Sequence, residues 1–160
     1  MKIKSVIFIL FWFILFWMIS SLPPYLNAQI KPIPPLLATK EEINQFFTAY
    51  VDRYTQKDID GFLSFFSLKA IQNKKDGLEE IRKNYTNFFN QSLALRFQIE
   101  EMRQEIYQNA VEVKARYVIN QVLKGDRKER EWSGHIRWVL VKEDGALKIL
   151  SLDYQHMKSL

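Results

Sequence analysis

The chain has 160 residues and a formal net charge of +5, with 48% hydrophobic and 14% aromatic residues. That length holds one domain, and that composition excludes a disordered chain. The absence of cysteine excludes disulfides, thiol catalysis, thiolate metal sites and a lipid-modified cysteine together.

The first element is an apolar run. Val6 to Ile19 holds fourteen apolar residues without a break, and Ser5 to Leu22 extends it to eighteen with three serines. At about 1.5 Å per residue the longer stretch covers roughly 27 Å, near the thickness of a bilayer's hydrocarbon core. Lys2 and Lys4 precede the run and the next basic residue is Lys31, so the positive-inside rule keeps the N-terminus cytoplasmic and sends the rest outside. The expectation is one transmembrane anchor over residues 1–22, contacting the membrane through residues 5–22. The alternative is a signal peptide cleaved after Ala28, which would make the protein secreted, although Leu26 occupies a position where a small residue is favoured.

All five prolines lie between Pro23 and Pro35, and fixed backbone angles without amide donors predict a semi-stiff linker over residues 23–38. The folded domain is expected over residues 39–160. With Lys2 and Lys4 set aside the charge excess falls to +3, and the densest cluster, KGDRKERE from Lys124 to Glu131, mixes both signs. That pattern fits a solvated hairpin tip, and no nucleic-acid partner is expected.

Three helices come next. Thr39 and Glu42 form a capping box, after which Ile43, Phe46, Phe47, Tyr50, Val51 and Tyr54 make one apolar stripe. Asp58 is placed to cap a short second helix carrying Ile59, Phe62, Leu63 and Phe66. Asp76 and Glu79 signal a third, marked by Leu78, Ile81, Tyr85 and Phe88 and ending near Asn90. Asn84 and Asn90 each open a glycosylation sequon, both on this third helix.

After Gln91 the period changes from about 3.6 to 2. Leu93, Leu95, Phe97 and Ile99 alternate with polar or small residues, as do Val111, Val113, Ala115, Tyr117 and Ile119. EWSGHIRWVLV and ALKILSLDY complete the set, joined through an Asp144-Gly145 turn of type I′ preference. Helices followed by an antiparallel meander with one apolar face predict an α+β fold, with the helices packed on a curved sheet.

The order and wording of these pieces resemble the nuclear transport factor 2-like superfamily, the cone-shaped fold shared with ketosteroid isomerase and the polyketide cyclases. FFTAYVDRYTQKDIDGFLSFFS, GLEEIRKNY and WSGHIRWVLVKEDGALKILSLDY carry the resemblance, which covers about residues 39–155. It implies a cone-shaped domain whose sheet and long helix enclose a pocket. It leaves function open, because such folds host isomerases, dehydratases, ligand binders and non-catalytic partner domains. A single anchor followed by such a domain is also similar in layout to some secretion-system and envelope-associated proteins.

Strand alternation then assigns faces. Trp132, Gly134, Ile136, Trp138 and Leu140 share the apolar face, which sends His135, Arg137, Val139 and Val141 to the other. The expected pocket wall is Phe47, Tyr50, Tyr54, Phe62, Phe66, Tyr117, Trp132 and Trp138. The expected outer-sheet interface is Arg116, Val118, His135, Arg137, Val139 and Val141, a mixed apolar and basic surface suited to a homodimer or an envelope protein partner.

No carboxylate falls on the inward strand positions. Asp58 or Asp60 with Tyr50 or Tyr117 would be the only acid–base set, and N-capping already accounts for Asp58. His135 and His156 are too far apart to form a two-histidine ligand motif, and His156 is read as part of a terminal tail, so neither metal nor cofactor is expected. A glycine-rich phosphate loop and a nucleophile elbow are both missing. The function expected is a membrane-anchored, extracytoplasmic, non-enzymatic binding or scaffold module of the cell envelope. The alternatives are a small-molecule isomerase or dehydratase, or a carrier of a small apolar ligand in the cone.

Overall fold

The computed structural model describes residues 34–157. The anchor or signal peptide expected over residues 1–22, and the linker up to residue 33, lie outside the described residues. Among the described residues no helix is long and apolar enough to cross a membrane. The chain joins the domain just ahead of the first helix: the Leu37 amide donates to the Tyr107 carbonyl at 2.8 Å, and Ala38 is buried.

Helix α1, Lys40–Gln56, starts at the capping box. The Glu42 amide donates to Thr39 Oγ1 at 3.1 Å and the Thr39 amide to Glu42 Oε2 at 2.7 Å. The helix ends at Lys57, which is left-handed (φ 58°) and donates through Nζ to the carbonyls of Ser92 and Leu93. Its buried stripe is Ile43, Phe46, Phe47, Tyr50 and Tyr54. Helix α2, Ile59–Leu63, is capped by Asp58, whose side chain accepts from the Gly61 amide at 3.0 Å.

Phe66 is not on that helix. It opens strand β1, Phe66–Gln72, which pairs in parallel with the last strand, β6, Ala146–His156. The register of β1 shifts between Phe66 and Ile71, so its buried positions do not alternate, and the strand carries no period-2 signal. Strand β2 is Asp76–Gly77, paired antiparallel with β1. Asp76 therefore belongs to a strand, and Gly77 caps helix α3, Leu78–Gln91, without a side-chain bond.

Strands β3, Ser92–Ile106, β4, Val111–Leu123, and β5, Glu129–Glu143, form with β6 the expected antiparallel meander. The sheet as a whole is mixed, with order β2-β1-β6-β5-β4-β3. Asp144 (φ 49°) and Gly145 (φ 80°) are both left-handed, as a type I′ turn requires. Register shifts at Ser92/Ala94 and Glu100/Arg103 of β3 and at Val139/Leu140 of β5 bend the sheet around the helices. The first of these turns Leu93 out to 48% exposure, whereas Leu95 and Phe97 stay inside.

Candidate functional site: an aromatic cavity between the sheet and the third helix

The inner face of the sheet divides into two ends. At one, Trp138, Leu140, Val111 and Val113 of the sheet and Ile43 of α1 are fully buried. The Phe47 and Trp138 rings meet at 4.7 Å and those of Tyr50 and Phe62 at 5.0 Å. This end is packed solid.

At the other end a cavity of about 230 Å³ opens between the sheet and α3. Tyr50 and Tyr54 of α1, Asn84, Tyr85 and Phe88 of α3 and Gln72 of β1 form one side. Phe97, Tyr117, Ile119, Trp132, Ile136, Tyr154 and His156 form the sheet side. Its wall contains no Asp, Glu, Lys or Arg among the described residues.

Four of the expected wall residues, Tyr50, Tyr54, Tyr117 and Trp132, line this space. Phe47, Phe62, Phe66 and Trp138 do not. Phe47 of α1 packs on Trp138 of β5 with ring centroids 4.7 Å apart, and Phe62 of α2 packs on Phe66 of β1 at 5.4 Å, so these four form solid core. Alternation assigns a side chain to a face, and only the distance between layers decides whether it borders a void.

Several wall residues escaped the sequence reading. Ile119, Ile136, Tyr154 and His156 lie at inward alternate positions, so continuing the Leu152, Tyr154 series by one step would have found His156. The reading ended the last strand at Tyr154. In the structure β6 runs through His156, which lies opposite Gly134 of β5, itself opposite Tyr117 of β4. Gln72 lies on the strand whose bulge erased its periodicity.

The geometry that follows is specific. Tyr117 Oη and His156 Nδ1 are 2.6 Å apart although their strands are not neighbours. Gly134 lies between them, and a Cβ there would collide with the Gln155 carbonyl and reach 3.0 Å from Tyr117 Cε1. Glycine is what lets the two side chains meet across β5. Burial pushes the Tyr117 phenol up to about 12, so it keeps its proton at neutral pH. Burial raises the Tyr50 and Tyr54 phenols as well.

Trp132 is held from behind by its indole N–H, which donates to Gln121 Oε1 at 3.1 Å; the Gln121 amide in turn donates to Ser92 Oγ at 2.8 Å. This buried relay, absent from the sequence reading, fixes the ring at the cavity edge.

Of the expected acid–base set, Tyr50 and Tyr117 line the cavity, and the two carboxylates lie elsewhere. Asp58 caps α2 and pairs with Arg53 at 2.9 Å, and Asp60 pairs with Arg82 at 2.8 Å on the surface. Neither lines the cavity. His135 is exposed, on the opposite face from the cavity. Arg116, Val118, Arg137, Val139 and Val141 are half-buried on that same outer face. There Arg137 donates to Glu112 at 2.8 Å and reaches Asp153 at 3.4 Å, and Lys114 pairs with Glu112 at 2.7 Å. Arg137 and Lys114 together hold the Glu112 carboxyl down at about 2. Among the described residues no group of three His, Asp or Glu side chains could hold a metal ion.

No family model and no curated protein matches the chain. Solved structures do. A candidate scytalone dehydratase from Novosphingobium aromaticivorans superposes with a TM-score of 0.68 at 10% identity, covering 74% of this chain and 83% of the other. A candidate aromatic ring hydroxylase from the same organism gives 0.67 at 16% identity, covering 74% and 89%. A nuclear transport factor 2-like superfamily protein from Salmonella enterica gives 0.66 at 15% identity, covering 74% and 91%. At these identities the likeness establishes the fold: α+β, nuclear transport factor 2-like, with helices on a curved six-stranded sheet.

Proposed function

We propose that the domain is a non-enzymatic binding module that holds a small apolar ligand in the cavity between the sheet and α3. One observation carries this reading: a cavity of about 230 Å³ walled mainly by aromatic and aliphatic side chains, with Gln72, Asn84 and His156 among its polar members and no Asp, Glu, Lys or Arg. A void of about 150 Å³ lined by apolar side chains takes up a benzene. This one therefore has room for two fused rings.

The test is a calorimetric titration of the full chain with naphthalene, beside an Ile119→Trp variant that fills the void. Binding by the parent and at least a tenfold loss in the variant are expected. Absence of binding by the parent would overturn the reading.

The Tyr117–His156 pair favours a second reading, a proton-transfer enzyme of the isomerase or dehydratase kind. A buried phenol can hydrogen-bond a developing oxyanion, with His156 exchanging its proton. Solved structures of the same fold include the candidate dehydratase and hydroxylase. The binding reading is preferred because the cavity lacks the carboxylate such a site would use as its base.

The setting proposed for the module is the outer side of a membrane, with residues 5–22 as its anchor. The unbroken apolar run from Val6 to Ile19 behind Lys2 and Lys4 supports this. His135 and the half-buried valines of the outer face are offered as the contact for a second copy or an envelope protein.

A further inference from the structure

Two residues of the cavity wall are exposed, Asn84 of α3 and His156 of β6, and every other one is buried or half-buried. One stands on the helix side and the other on the sheet side, so together they mark the mouth. Both carry nitrogen donors. The rest of the wall is aromatic and aliphatic apart from the buried Gln72.

The bond to Tyr117 fixes what His156 offers at the mouth. Tyr117 is 2% exposed and keeps its proton, and His156 Nδ1, at 2.6 Å, is the one acceptor that its hydroxyl meets among the described residues. Donation to Nδ1 leaves the imidazole hydrogen on Nε2, because the bond made by one ring nitrogen sets the tautomer at the other. Among the described residues the ring makes no second hydrogen bond. Nε2–H is therefore a donor of fixed tautomer on an exposed residue of the cavity wall.

We infer that the ligand is an aromatic carboxylate, with its ring among Tyr54, Phe88 and Phe97 and its carboxylate at the mouth, where His156 Nε2–H and the Asn84 side-chain amide donate to it. This rests on the binding reading above and narrows it. An acceptor is selected because an N–H can only donate, and a ligand that brought another donor would leave it unpaired. A carboxylate is selected over a neutral carbonyl on two counts. Hydrogen bonds to an ionised acceptor are roughly twice as strong as neutral ones. The exposed mouth also leaves the charge hydrated, whereas the interior, without a charged side chain, takes only the ring.

The experiment is a calorimetric titration of the full chain at neutral pH with naphthoate, naphthalene, acetonaphthone and naphthylmethylammonium, repeated on His156→Phe. That variant keeps an aromatic ring and removes the N–H. Naphthoate is expected to bind about tenfold more tightly than naphthalene, the effect of one hydrogen bond to a charged group. Acetonaphthone should fall between them, and naphthylmethylammonium should bind no tighter than naphthalene. In His156→Phe the naphthoate advantage should shrink below about threefold with naphthalene binding retained. Nitrogen NMR of the parent supplies a readout that needs no variant. The chain has two histidines, and His135, on the opposite face, serves as the internal reference. Free His156 should show the Nε2–H tautomer, and naphthoate should shift its Nε2 resonance while leaving that of His135 in place.

Equal binding of naphthoate and naphthalene would overturn the carboxylate assignment and leave the binding reading standing. Binding of none of the probes would overturn both. Acetonaphthone as the tightest ligand would overturn the charge, and naphthylmethylammonium as the tightest would overturn the acceptor. An Nδ1–H tautomer at His156, or a His156→Phe protein with the full naphthoate preference, would overturn the part given to His156.

Discussion

The two ends of the sheet's inner face are built from the same strands and face the same helix, yet one is solid and the other hollow. At the solid end Phe47 of α1 lies directly on Trp138, and Ile43, Val111, Val113 and Leu140 are fully buried. At the hollow end the cover is α3, which contributes Asn84, Tyr85 and Phe88, together with Tyr50 and Tyr54 of α1. The comparison teaches that stability and recognition occupy different lengths of the same β-strands. Residues of one end should be replaceable only at the expense of folding, and residues of the other chiefly at the expense of binding.

The largest effect should come from the solid end. Trp138→Ala removes a fully buried ring and should destabilise by about 3–5 kcal/mol in denaturant unfolding. A loss below about 1 kcal/mol would mean that this end is not the folding core.

Gly134→Ala should have an intermediate effect that crosses the boundary. The added Cβ has no room against the Gln155 carbonyl, so β6 must move, with a destabilisation of about 1–3 kcal/mol. The same shift should part Tyr117 from His156. The phenol titration in near-ultraviolet absorbance and the affinity for naphthalene should both change. If stability falls and neither of those moves, Gly134 serves packing alone.

The smallest effect belongs to the outer face. Glu112 titrates near 2, well below its ordinary value of 4.5, because Arg137 and Lys114 stabilise its charged form. A depressed carboxylate pKa adds stability that is fully present above pH 4.5 and is lost as pH falls towards 2. Glu112→Gln should therefore flatten the acid limb of the stability profile in that window by about 1 kcal/mol or less, the range of screened surface pairs. Ligand affinity at neutral pH should not change, since the pair lies on the opposite face from the cavity.

Much of the fold was legible in the sequence because its signals are local. The Thr39–Glu42 capping box, the α1 stripe and the Asp-Gly turn each depend on residues a few positions apart. The site was legible only in part. Tyr50, Tyr54, Tyr117 and Trp132 were found by alternation and helical spacing, which report facing. Strand β1, and Gln72 on it, left no signal because a bulge breaks the alternation and the pairing partner lies at the far end of the domain. His156 was missed for a different reason: a strand that runs out to the end of its domain loses its flanking pattern, so its last inward position looks like tail.

Spacing along the chain was enough to reveal an α+β domain, the starts of the first two helices, the meander order, the inward faces of its strands and the apolar N-terminal run. Only the tertiary structure decided that four expected wall residues are solid core and that Tyr117 reaches His156 across a glycine. Those are matters of the distance between layers. That distance depends on side chains far apart in sequence meeting, or failing to meet, in space.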